Sequence, residues 1–303
     1  LSALSVTNLI SRMPAALAQG LIWGIMALGV YITFRLLDFA DLTVDGSFAT
    51  GGAVTVMMTI TGHNIWISLL CASLAGLLAG LCTGLLHTKL GIPPILAGIL
   101  TQLALYSVNL DIMGQANTAI NVDKYPLVVS LRYIPETIIK GAIFVIIIIG
   151  ILYWFFGTEL GCSLRATGCN PNMSRAQGIN TDVCKVLGLM ISNGLVALSS
   201  ALLAQYQGFA DVNMGRGAIV IGLAAVIIGE AIFGKIFHNF ALRLLSVAFG
   251  SILYYLVLQT VIWMGIDTDL LKMLSALVVA VFLAVPYWKA KYFSKPVKRG
   301  GNK

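Results

Sequence analysis

Apolar runs of about twenty residues, separated by short polar punctuation, recur along the whole 303-residue chain. A helix of that length, rising about 1.5 Å per residue, crosses a hydrocarbon core about 30 Å thick. The pattern predicts spans at residues 14–34, 65–86, 94–113, 140–156, 183–205, 217–234, 240–264 and 270–288. One further run, 37–61, is interrupted by Asp38, Asp41, Asp45, Gly46 and the Gly51-Gly52 pair, so a broken helix is expected near residues 38–52. The expected fold is an all-α polytopic membrane protein of about eight to ten spans. The alternating segments of about ten residues that mark an outer-membrane barrel are absent. Residues 1–288 read as one transmembrane unit and 289–303 as a basic tail.

Between the fourth and fifth uninterrupted runs lies a polar, basic island, residues 158–182, with its own helix punctuation. Asn170 suits an N-cap, Pro171 the first helical position, and Gly178 the left-handed stop. A helix near 170–178 has only about two turns and is unstable alone in water. It has little core of its own to join, so the economical reading is that it docks into another protein.

Composition agrees with a membrane solvent. The chain is 58% hydrophobic and 10% charged, against about a quarter charged for a soluble domain. The net charge of +7 does not indicate nucleic acid, because the cations cluster at the ends of apolar runs and in the tail. If every run crosses, thirteen of the nineteen Lys and Arg residues, among them Arg35, Lys89, Arg165, Arg175, Lys185 and the tail cations, share one side. Arg12, Lys124, Arg132, Lys140, Arg216 and Lys272 fall on the other. The richer side is expected to be cytoplasmic, placing the 158–182 loop and the C-terminus in the cytosol and the 114–133 loop outside. The side of the N-terminus stays open, since a re-entrant 38–52 segment would reverse it. The first apolar run continues as a span, so no compact signal peptide is read. Five cysteines without metal or redox spacing are read as free thiols.

Catalytic patterns are missing. Gly229-Glu-Ala-Ile-Phe-Gly234-Lys235 has phosphate-loop spacing, but Ile236 follows where Ser or Thr is needed and no strand precedes it. The three histidines are scattered, no metal cluster is read, and no nucleophile elbow occurs. Polar residues within the runs are the positive signal, because burying them is costly unless they find partners or line a wet path. Asp38, Asp41 and Asp45, spaced for one helix face, read as a gate or as helix caps. Ser47, Gln102, Asn109 and Asn193 are the other candidates for a translocation pathway; Gln102 and Asn109 share a face. Interhelical hydrogen bonding is the commoner use of such residues. Glu230 is expected to pair with Lys235 or Arg243, and the Gly76, Gly80, Gly84 repeat to permit close helix packing.

Arg165-Ala-Thr-Gly168-Cys-Asn170-Pro171, followed by Ala176-Gln-Gly178-Ile179-Asn180, resembles the cytoplasmic coupling loop of ATP-binding-cassette importer permeases of the branched-chain amino-acid and ribose class. Members carry Arg-Ala-x-Gly-x-Asn and then Gly-Ile between two central spans, and the similarity extends over residues 14–288. The Thr43-to-Phe48 stretch departs from the Asn-Phe-Ala-His-Gly form of branched-chain members. It looks more like a subgroup some of whose members import aromatic amino acids. The resemblance implies a non-catalytic permease subunit that dimerises, pairs with cytosolic ATPase subunits that bind the ATP and magnesium, and receives solute from an extracytoplasmic binding protein in the bacterial inner membrane. Arg165, Gly168, Asn170, Pro171, Arg175, Ala176, Gly178 and Ile179 would then form the ATPase-coupling element. An ion-coupled secondary carrier, an importer of a sugar or nucleoside, and a membrane scaffold are the alternatives.

Overall fold

The computed structural model describes residues 6–122, 124–234, 237, 239–264 and single positions between 273 and 284. Apart from those single positions, the expected 270–288 span and the basic tail lie outside the described residues, as do Lys235, His238 and Lys272. Ten α-helices run through the described residues: α1 Val6–Tyr31, α2 Thr43–Ile60, α3 Ile65–Thr88, α4 Pro94–Met113, α5 Ile134–Gly157, α6 Glu159–Cys169, α7 Pro171–Ala176, α8 Thr181–Gln207, α9 Ala218–Phe233 and α10 Phe240–Trp263. α1 continues through a π-helical turn, Ile32–Leu36. Asn64 caps α3 by accepting from Trp66 N–H, and Asn180 caps α8 by accepting from Asp182 and Val183 N–H. Gly114 and Gly208, at φ +67° and +79°, stop α4 and α8 in the left-handed region that glycine reaches without penalty.

Six of these helices are long and apolar enough to cross a membrane: α1 with its π-turn, α3, α4, α5, α8 and α10. α9, at 16 residues, spans only about 24 Å. The apolar window of α1 is 83% buried, against 22% for α4 and for α5, which places α1 in the middle and α4 and α5 at the rim. A helix apolar on every face belongs inside such a bundle. Around the rim, Leu70, Leu74 and Leu78 of α3 and Ile139, Ile146 and Trp154 of α5 stand exposed. So continuous an apolar surface is a liability in water and a solvated surface in lipid. The interface of α3 with α8 is the most extensive in the bundle. The expected glycine repeat makes it, since a Cβ on Gly76 or Gly80 would run into the α8 backbone at Asn193 or Leu189.

Several expectations need adjusting. The interruption expected over 38–52 occupies only 37–42, and the chain is helical again from Thr43. Gly46, Gly51 and Gly52 sit inside α2, where each lies against a neighbouring segment. Asp38, Asp41 and Asp45 therefore do not share a helix face: Asp38 has φ +52°, a region Asp tolerates better than most residues, and only Asp45 is helical. α5 begins at Ile134, ahead of the expected 140, because Pro135 and Glu136 suit a first helical turn. The polar 158–182 loop holds a further helix, α6, before the short one. Outside the helices, β1 Asn117–Ala119 pairs antiparallel with β2 Phe209–Asp211, Thr118 opposite Ala210, and closes the end of the bundle remote from α7. The five cysteines are free.

Candidate functional site

The short helix forms as its sequence dictates. Asn170 Oδ1 accepts from Met173 N–H at 3.1 Å, Pro171 opens α7, and Gly178 closes it at φ +83°. Ile179 N–H then reaches back to Ser174 O at 3.0 Å. Ser174 is buried, while Pro171, Met173, Arg175, Ala176 and Gly178 are exposed and Ile179 is half-buried. α7 thus presents one free face and is not wholly without a seat. Arg175 ties it to the start of α8: Nε donates to Thr181 Oγ1 at 2.8 Å and a terminal nitrogen lies 3.7 Å from Asp182.

Arg165 and Gly168 do different work from the rest of the motif. Arg165 points into the bundle, donating to Phe156 O at 3.0 Å with its guanidinium 5.3 Å from the Phe240 ring centroid. Gly168 lies against the backbone of Leu36 at the end of the π-turn. Both seat α6 on α5, α10 and the π-turn, and α7 stands on that base. At the same end, Glu230 pairs with Arg35 at 3.0 Å. The expected partner Arg243 only lines the same cleft of about 450 Å³. The phosphate-loop look-alike falls on the last turn of α9, where Gly229 packs against Ser246 of α10.

The polar residues of the spans separate into two groups. Asp41, only 2% exposed, accepts from Thr43 N–H at 2.9 Å and from Asn193 Nδ2 at 2.7 Å. Ser47 Oγ hydrogen-bonds Asn193 Oδ1. Beside them Thr43, Thr83 and Thr101 form a hydroxyl chain at 2.6 and 2.9 Å. This network stitches α2, α3, α4 and α8 together and is closed to solvent. Asp38 is exposed outside it. Asp45, Gln102 and Asn109 instead line a cavity of about 250 Å³ with Tyr106 and Arg216. Asp45 there caps a helix far off in sequence, its two carboxylate oxygens each accepting at 3.0 Å from the N–H groups of Gly217 and Ile219. A carboxylate on unpaired amide groups at a positive helix end is favourable. Neither Arg216 nor Tyr106 was expected here; the one available signal was a cation between two glycines just ahead of an apolar run.

Residues 13–285 match the family described as branched-chain amino acid transport system/permease component. The chain belongs to that family. It is the permease subunit of an ATP-binding-cassette transporter, a non-catalytic transport component, which sets aside the secondary-carrier and scaffold alternatives. The permease is 40% identical over 281 residues, 90% of this chain and 91% of the relative, to the tyrosine transport system permease protein of Clostridioides difficile strain R20291. It is 29% identical over 251 residues, 81% of this chain and 71% of the relative, to the galactofuranose transporter permease protein YtfT of Escherichia coli K12. Among solved structures, PsaBC from Streptococcus pneumoniae in complex with Fab shares the fold, with a TM-score of 0.54 at 17% identity over 95% of this chain and 99% of that one.

Proposed function

We propose that this permease forms the translocation pathway of a bacterial inner-membrane importer for a hydrophobic or aromatic amino acid. The observation that carries the amino-acid reading is the 40% identity, over 90% of this chain, to a tyrosine transport permease. A sugar is the second reading, supported by the weaker likeness to galactofuranose and fructose permeases. In the amino-acid reading two copies of the chain enclose the pathway, cytosolic ATPase subunits bind ATP and magnesium, and an extracytoplasmic binding protein delivers solute. The charge bias at the ends of the apolar runs in the sequence supports a cytosolic placement of the 158–182 loop and of the C-terminal tail.

The coupling element is the 158–182 loop. α7 inserts its exposed face, led by Met173 and Ala176, into a groove of the ATPase. Its movement passes to α8 through the Arg175 contacts with Thr181 and Asp182, and to α5 and α10 through Arg165. α8 is the efficient lever, since it traverses the bundle and anchors α2 and α3 along its length. Co-expression with the ATPase and pull-down through a tag on this chain tests the assignment. The ATPase co-purifies with the wild type, and an Arg175→Glu, Ala176→Asp double variant loses it while staying folded. Equal recovery of the ATPase with that variant removes α7 from the interface.

A further inference from the structure

Among the polar groups lining the 250 Å³ cavity between α2, α4 and the turn ahead of α9, the side chains of Asn109, Gln102 and Arg216 form no hydrogen bond to another described residue. Asn109 is fully buried, yet neither its Nδ2 nor its Oδ1 has a hydrogen-bond partner. A buried amide left unpaired is costly, and leucine would fill the same place without that cost. Arg216 lines the same cavity with no side-chain partner among the described residues. Asp45 faces it from α2, and the two opposite charges form no ion pair with each other. The Gly217 and Ile219 amides hold the Asp45 carboxylate in one orientation and use only part of an acceptor capacity of about four lone pairs. Gln102 lies at the depth of Gly46, beside Asp45, and Leu103 and Tyr106 supply an exposed apolar wall.

We propose that this cavity is a subsite for the zwitterionic head of a free α-amino acid. Arg216 and the Asn109 carboxamide take the carboxylate, Asp45 and the Gln102 carbonyl take the ammonium, and the ligand's side chain lies along Tyr106 and Leu103. The proposal rests on the amino-acid import reading and goes beyond it by placing part of the recognition in the permease. A neutral sugar would leave both charges unmatched, and matching a polar ligand at a site built for it discriminates strongly against analogues that lack the group. A volume of about 250 Å³ is enough for one amino acid.

Equilibrium binding of labelled L-tyrosine, L-tryptophan and L-leucine to the full-length permease in lipid nanodiscs, with no binding protein present, tests this. At least one of the three is expected to bind saturably. Its decarboxylated and deaminated analogues should compete at least tenfold more weakly. Arg216→Gln and Asn109→Leu are each expected to lower affinity about tenfold, while Asn109→Leu raises the melting temperature without ligand, an outcome that separates a binding role from a packing role. Absence of saturable binding, or affinity indifferent to both substitutions, overturns the subsite. Amino-acid import by the assembled transporter with unchanged KM in both variants discards the subsite and leaves the import reading intact; import of a sugar and no amino acid discards both.

Discussion

Asn193 and Asn109 are both fully buried amides, and they carry opposite expectations. Asn193 donates to Asp41 Oδ2 and to Leu189 O and accepts from Ser47, so Asn193→Leu strips a buried carboxylate of a donor. Removing one partner of a buried polar pair costs about 1–3 kcal/mol, and the detergent-solubilised permease should melt several degrees lower. Asn109→Leu removes an amide with no partner and should not lower the melting point. A larger loss in the Asn109 variant would contradict the hydrogen-bond pattern described. The residue types were legible as polar groups in apolar runs, but their partners were not. Asp45 meets Gly217 across 172 residues, and no local spacing encodes that; the one-face reading of the three aspartates failed because the backbone leaves the helix between them.

At the scale of elements, α7 was legible nearly to the residue because each of its signals is local: Asn170 bonds its own first turn, Pro171 lacks an N–H where none is needed, and Gly178 supplies the positive φ. No helix was expected over residues 159–169, where two glycines, Gly161 and Gly168, lower the local helix propensity. In the fold they are contact points, Gly161 against Phe155 and Gly168 against Leu36, while Gly161, Leu164 and Thr167 form its buried face. Asn170→Ala should weaken α7 by about 1 kcal/mol and lower ATPase-coupled transport while leaving the melting temperature of the bundle unchanged. An unaltered transport rate would show that the cap is dispensable. The glycines of α3 give a contrasting test. Gly80→Leu should separate α3 from α8 and abolish the folded peak in size-exclusion chromatography. Gly150→Ala, in α5 where an added Cβ meets nothing within 4 Å, should be neutral or stabilising by up to about 1 kcal/mol. Equal behaviour of the two would remove the packing role of the repeat.

For the molecule as a whole, the membrane fold followed from run length alone, and the family assignment agrees with it. The capped helix precedes α8 and the β2 strand of the ribbon follows it, so the two lie at opposite ends of that helix, and the sequence's charge bias is what leads one to expect the capped end in the cytosol. What is carried was not legible, because a cavity assembled from α2, α4 and a turn before α9 exists only once the bundle has folded. The central claim is that this bundle moves an amino acid only when a partner hydrolyses ATP. The most direct measurement is uptake of labelled amino acids into proteoliposomes that contain this permease with its ATPase and binding protein. The account predicts uptake of a hydrophobic or aromatic amino acid that requires both ATP and the binding protein and is unaffected by collapsing proton and sodium gradients. Uptake that persists without ATP and stops when those gradients are collapsed would contradict it.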